Sequence, residues 1–136
     1  LIAEQWRQVL EGFNALRTKN MTVIFTAHCE IKRYDPPDSD SWERFQPKLT
    51  SRASALIQEW ADCVLFANWR TFVKQEAVAN KTAKNPVTKS KPMATAERLL
   101  YTGEKPAHLA KNRFNLPPEL PLTWADFEAA LTASMA

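Results

Sequence analysis

Near its C-terminal end the sequence reads His108-Leu109-Ala110-Lys111-Asn112-Arg113-Phe114, a short apolar run closing on two cations that flank an asparagine. On a strand, Lys111 and Arg113 share a face, because side chains alternate with period two. Two cations held stiffly at a strand end suit a phosphate presented from elsewhere, for instance by a neighbouring subunit. The only glycines are Gly12 and Gly103, so these residues cannot build a glycine-rich phosphate loop of the G-x-x-x-x-G-K-[ST] kind. The pattern points to the half of a nucleotide-handling domain that senses and reaches across, without the half that grips.

Other chemistry is thinly represented. There is no G-x-S-x-G and no H-E-x-x-H, and the two histidines, His28 and His108, lie far apart. His28, Cys29 and Glu30 are adjacent, and neighbours on a strand point to opposite faces, so no metal site is expected. Cys29 and Cys63 are too few for a disulfide scaffold and read as buried free thiols of a cytoplasmic protein.

Bulk numbers bound the rest. The chain has 136 residues, 45% apolar and 24% charged, with a net charge of +3. That is one domain's worth, long enough for a core. No apolar run approaches the roughly 18 residues needed to span a bilayer, so no membrane role is expected. The start, Leu1-Ile2-Ala3-Glu4-Gln5-Trp6, is unlike a signal peptide, lacks an initiator Met and enters in helical phase, as if cut from something longer. Charge is unevenly spread: Arg70, Lys74, Lys81, Lys84, Lys89 and Lys91 face only Glu76 between positions 70 and 91, whereas Asp35, Asp38 and Asp40 make an earlier loop acidic.

The elements that must position these groups follow from periodicity. Ile2, Trp6, Val9, Leu10, Phe13 and Leu16 recur at helical spacing, predicting a helix over 2–17. Met21 to Ala27 is a continuous apolar run rich in β-branched residues, predicting a strand covered on both faces in a mostly parallel sheet. Cys29 to Lys48, with Pro36, Pro37 and Pro47, reads as a loop of about twenty residues. A helix capped by Thr50 or Ser51 follows to about Trp60, then a buried strand from Cys63 to Trp69 continuing to Val73. Residues 74–95 read as a basic hairpin tip. Arg98–Thr102 and His108–Phe114 read as strands, and the proline-rich Leu116–Leu122 as irregular. Thr123 and Asp126 form a capping box for a last helix. The five tryptophans read mostly as core.

This order resembles the C-terminal half of a RecA-like ATPase core, and more narrowly the phage-encoded RecA-like (AAA-type) nucleotide-binding proteins of recombination and single-strand annealing. Val23-Ile24-Phe25-Thr26-Ala27-His28 is similar to the strand ending in that family's polar sensor, and Ala110-Lys111-Asn112-Arg113-Phe114 to its basic finger strand. The resemblance implies an α/β fold: a RecA-like P-loop NTPase core, C-terminal part only, with a central sheet, flanking helices and a basic β-hairpin. It covers residues 1–122, leaving 123–136 as a C-terminal capped helix. It implies that His28 senses the γ-phosphate, with histidine replacing the glutamine common at that place, and that Lys111 and Arg113 act on a neighbour's γ-phosphate. ATP and Mg²⁺ are then cofactors of a full-length parent, none being bound tightly by these residues alone.

The implied partner is the parent itself, as a ring or filament, in the cytoplasm of a bacterial host. Single-stranded DNA is the second implied partner. Lys32, Arg33, Trp42 and Arg44 interleave cations with aromatics, as single-strand binding prefers, and Lys74, Lys81 and Lys84 line the basic hairpin; the other readings are a structural or interface loop and an ordinary solvated tip. The alternatives are a non-catalytic nucleic-acid-binding or assembly module and a structural phage protein that keeps the fold without the chemistry.

Overall fold

A computed structural model describes residues 2–78 and 87–136, with side chains described for all of these except 73–78 and 87–92. The expected basic tip falls on this gap: Lys81 and Lys84, and the side chain of Lys74, lie outside the described residues.

Helix α1 (Ile2–Arg17) follows the predicted apolar stripe, with Glu4 in its first turn and Arg17 in its last, both favourable to the helix dipole. It stops where Asn20 adopts a positive φ of 59°, and the Met21 N–H returns to the Leu16 carbonyl at 3.3 Å. Helix α2 (Ser51–Trp60) packs against it through Trp60, whose Nε1 donates to Asn14 Oδ1 at 2.8 Å. Thr50 precedes α2 as expected, but its side chain makes no capping bond. Phe25 bridges the two helices, 4.9 Å from the Phe13 ring and 5.6 Å from the Trp60 ring.

The strands depart from the parallel core that the sequence suggested. The described ladders form three small antiparallel sheets. Strands β1 (Cys29–Tyr34) and β2 (Trp42–Pro47) pair with each other. Strand β3 (Cys63–Val64) pairs with β6 (Lys111–Asn112). Strands β4 (Phe66–Val78), β5 (Val87–Tyr101) and β7 (Glu119–Pro121) make the third, with β5 in the middle. The supposed long loop at 29–48 is therefore a hairpin. Its alternation was hidden because polar and apolar residues occupy both faces. Proline-rich 116–122 also holds a strand. Pro121 is tolerated because β7 lies at the edge, where a missing N–H costs no ladder bond.

The largest correction concerns Met21–Ala27, which forms no strand. A fully buried strand needs neighbours on its edges, and none of the described residues pairs with it. Ile24 stays 65% exposed. The fourth predicted strand shrinks to Lys111–Asn112, with His108 in a turn closed by reciprocal bonds of 3.1 Å to Lys105. Cys29 is exposed rather than buried, and Trp69 and Trp124 stand outside the core. Helix α3 (Trp124–Met135) starts as predicted: Asp126 N–H donates to Thr123 Oγ1 at 3.1 Å, and the Thr123 hydroxyl donates to the Asp126 carboxylate.

The core gathers Leu99, Tyr101, Thr102, His108, Ala110, Leu116 and Leu120 where β5, β7 and the 103–118 segment meet. His108 is 3% exposed and stacked on Phe66 at 4.7 Å, with Tyr101 at 5.0 Å, and neither ring nitrogen has a hydrogen-bond partner. Burial holds the imidazole below its ordinary pKa of 6.5. A group that binds its proton less readily when folded contributes stability above 6.5 that is lost as pH falls toward its folded value. Urea midpoints should therefore drop between pH 7.5 and 5.5, and His108→Phe should flatten that slope while keeping the stacking. An equal slope in the variant would remove His108 as its source. Glu119, held below the usual carboxylate range by Lys105 and Arg70, adds a separate loss only below about 4.5.

Candidate functional site

Chemistry concentrates at the C-terminal end of α2. A helix leaves its last four carbonyls without intrahelical partners, and they carry partial negative charge. Lys111, entering from β6, answers three acceptors there: its Nζ donates to the carbonyls of Gln58 at 2.6 Å, Glu59 at 3.1 Å and Ala61 at 2.8 Å. An ammonium has three donors, so this arrangement uses all of them. Lys111 does not reach outward, unlike the pair of outward cations that the spacing suggested.

Arg113 is the remaining cation. Its side chain is 51% exposed; one guanidinium nitrogen meets Asp62 Oδ1 at 3.1 Å and another donates to the Glu59 carbonyl at 3.2 Å. Its backbone N–H also donates to the Asp62 carbonyl at 3.2 Å. The other Asp62 oxygen takes Arg17, the last residue of α1, at 2.8 Å. Arg17 itself lies 5.1 Å over the Trp60 ring. One carboxylate thus joins two arginines from distant parts of the chain.

Asn112, which the sequence reading passed over as a spacer, fixes the bend after β6. Its Oδ1 accepts from the N–H groups of Phe114 at 3.2 Å and Leu116 at 3.1 Å, and its Nδ2 donates to the Leu116 carbonyl at 2.9 Å. Asn115 within this bend has a positive φ of 52°. The available signal was an asparagine followed three residues later by a second asparagine and two prolines, a turn signature.

The other expected site residues lie elsewhere. His28 is exposed at the foot of the β1–β2 hairpin, where its carbonyl accepts from Lys48 N–H at 2.8 Å. Among the described residues no hydrogen bond or ion pair joins it to Arg113. The hairpin's cations and rings serve the fold. Lys32 pairs with Glu30 at 2.9 Å and donates to the Leu49 carbonyl at 3.0 Å. Trp42 Nε1 donates to the Pro106 carbonyl at 2.8 Å. Arg44, with its side chain 10% exposed, lies 3.8 Å over the Tyr34 ring and pairs with Glu104 at 2.6 Å. Arg33 is exposed, paired with Asp35 at 2.7 Å.

Among the described residues no group of three His, Cys, Asp or Glu side chains could hold a metal ion, and no helix is long and apolar enough to cross a membrane. Chemically, the corner offers one half-exposed guanidinium on a rigid mount, suited to bidentate contact with a phosphate oxygen pair. No curated protein and no solved structure matches the chain. A family model described as an AAA domain matches residues 1–114.

Proposed function

Because the chain belongs to the AAA domain family, we propose that it supplies the far wall of an ATP site shared between subunits, with Arg113 as the residue that reaches across. The observation that carries this reading is Arg113 itself, half exposed yet mounted on a corner that Lys111 and Asn112 make stiff. A loose loop would have to order its backbone when its arginine meets a phosphate; a corner fixed in advance spares that cost. The glycine-rich loop, its lysine and the groups that hold Mg²⁺ are contributed by residues other than these.

The irregular Met21–Ala27 segment fits the same proposal. Its apolar character and open backbone suit a strand that lies beside the nucleotide-gripping half, with His28 at its end as the polar sensor. The parent protein on this reading is a phage-encoded ATPase acting in DNA recombination or replication in the cytoplasm of a bacterial host, assembled as a ring or filament. Residues 123–136 form a separate capped helix outside that core.

A shared site makes turnover depend on assembly. Diluting the full-length protein through its assembly range should lower ATP hydrolysis per subunit in step with the loss of oligomer by light scattering. Constant activity per subunit across that range would overturn the shared site. A labelled single strand that fails to bind at about 50 mM salt would remove the DNA part alone.

A further inference from the structure

We infer that Asp62 is a latch on Arg113: a positioning carboxylate that holds the guanidinium retracted and sets how readily it is released to a phosphate. The inference rests on the proposed role of Arg113 and concerns how that role is regulated. It begins from one geometric fact, that the two oxygens of Asp62 are divided between Arg113 at 3.1 Å and Arg17 at 2.8 Å.

That division has consequences. Asp62 is 34% exposed on its side chain, Arg17 39% and Arg113 51%. Ion pairs this open to water are weak and screened by salt. A weak pair does not lock Arg113 away; it competes with an incoming triphosphate, which brings more negative charge than one carboxylate. Arg17 in turn competes with Arg113 for Asp62. Its guanidinium lies over the Trp60 ring and its nitrogen makes the shorter contact, so it draws the carboxylate toward α1. Arg17 therefore loosens the latch and Asp62 closes it. Lys111 stays out of this exchange, because its three donors are committed to α2 carbonyls.

The arrangement predicts effects of opposite sign from two residues that touch each other. In the full-length protein, Asp62→Asn keeps the shape and removes the charge, and should raise the kcat for ATP about twofold to fivefold with KM little changed. Arg17→Met removes the guanidinium from Asp62 and from the Trp60 ring, leaves Asp62 wholly to Arg113, and should lower kcat by about twofold to fivefold. The double variant should match Asp62→Asn. Asp62→Glu should restore a turnover near that of the unaltered protein. Both effects should vanish when Arg113 is already Ala, as a double-mutant cycle requires of residues that act through one another.

A merely structural role for Asp62 would make Asp62→Asn and Arg17→Met fall together, alongside a lower melting temperature. Shifts in the same direction, or none, would overturn the latch. The reading beneath it fails separately. If Arg113→Ala leaves turnover unchanged, Arg113 is not the reaching residue. If Arg113→Ala abolishes turnover while Asp62→Asn and Arg17→Met do nothing, only the latch is lost.

Discussion

Arg113→Ala in the full-length protein should lower ATP turnover by about 10³- to 10⁵-fold, the range that a cross-subunit arginine contributes to phosphoryl transfer, while nucleotide binding changes little. The asymmetry follows from where the residue stands. On the proposed reading the groups that grip the triphosphate lie outside these residues, so binding should survive, whereas charge building on the transferred phosphoryl would lose its partner. Stability should barely move, because Arg113 is half exposed and its pair with Asp62 is open to solvent. Mixing Arg113→Ala subunits with subunits that keep Arg113 but cannot bind nucleotide should restore part of the turnover only if each site borrows the arginine from a neighbour. Unchanged turnover in the pure variant would dismiss the assignment, and weakened ATP binding with normal turnover would recast Arg113 as a ground-state contact.

Asn112→Ala carries the largest expected loss of stability, about 2–3 kcal/mol, because it leaves several partly buried backbone groups without partners at once. The N–H groups of Phe114 and Leu116 lose their acceptor and the Leu116 carbonyl loses a donor. For a domain of this size that loss lowers the melting temperature by roughly 6–10 °C. Asn112→Asp keeps the acceptor for both N–H groups and gives up only the donor, so it should cost about 1 kcal/mol. Urea unfolding of the two variants orders them; equal losses would show that the side-chain oxygen is not what fixes the bend. Since this bend carries Arg113, kcat should fall with it even where the protein remains folded.

What the sequence made legible was local. The stripe of α1, the short α2 and the Thr123 cap are written in spacing and end residues, so they could be placed without knowing their neighbours. Sheet partners could not. Met21–Ala27 has the composition of a buried strand, yet strand formation is a property of pairs, and no partner lies among the described residues. The hairpin at 29–47 was missed for the converse reason. Lys32, Arg44 and Trp42 look like ligand-binding residues by type, whereas the fold spends them on Glu30, Glu104, Tyr34 and the Pro106 carbonyl. At the site, the Lys-x-Arg spacing located the corner, but only the geometry divided its labour. Lys111 neutralises a helix end, whereas Arg113 stays half exposed on Asp62.

The open stretch after α1 also bears on how these residues behave in concentrated solution. Residues 21–27 contain no charge, no proline and no glycine, and β-branched side chains recur along them. Sequences of that kind, with amide edges free, are the ones onto which identical molecules stack into fibrous sheets. Among the described residues nothing blunts that edge by pairing with it, so the stretch proposed above to complete a nucleotide fold is also the place where copies of this polypeptide have most to gain by sticking to one another.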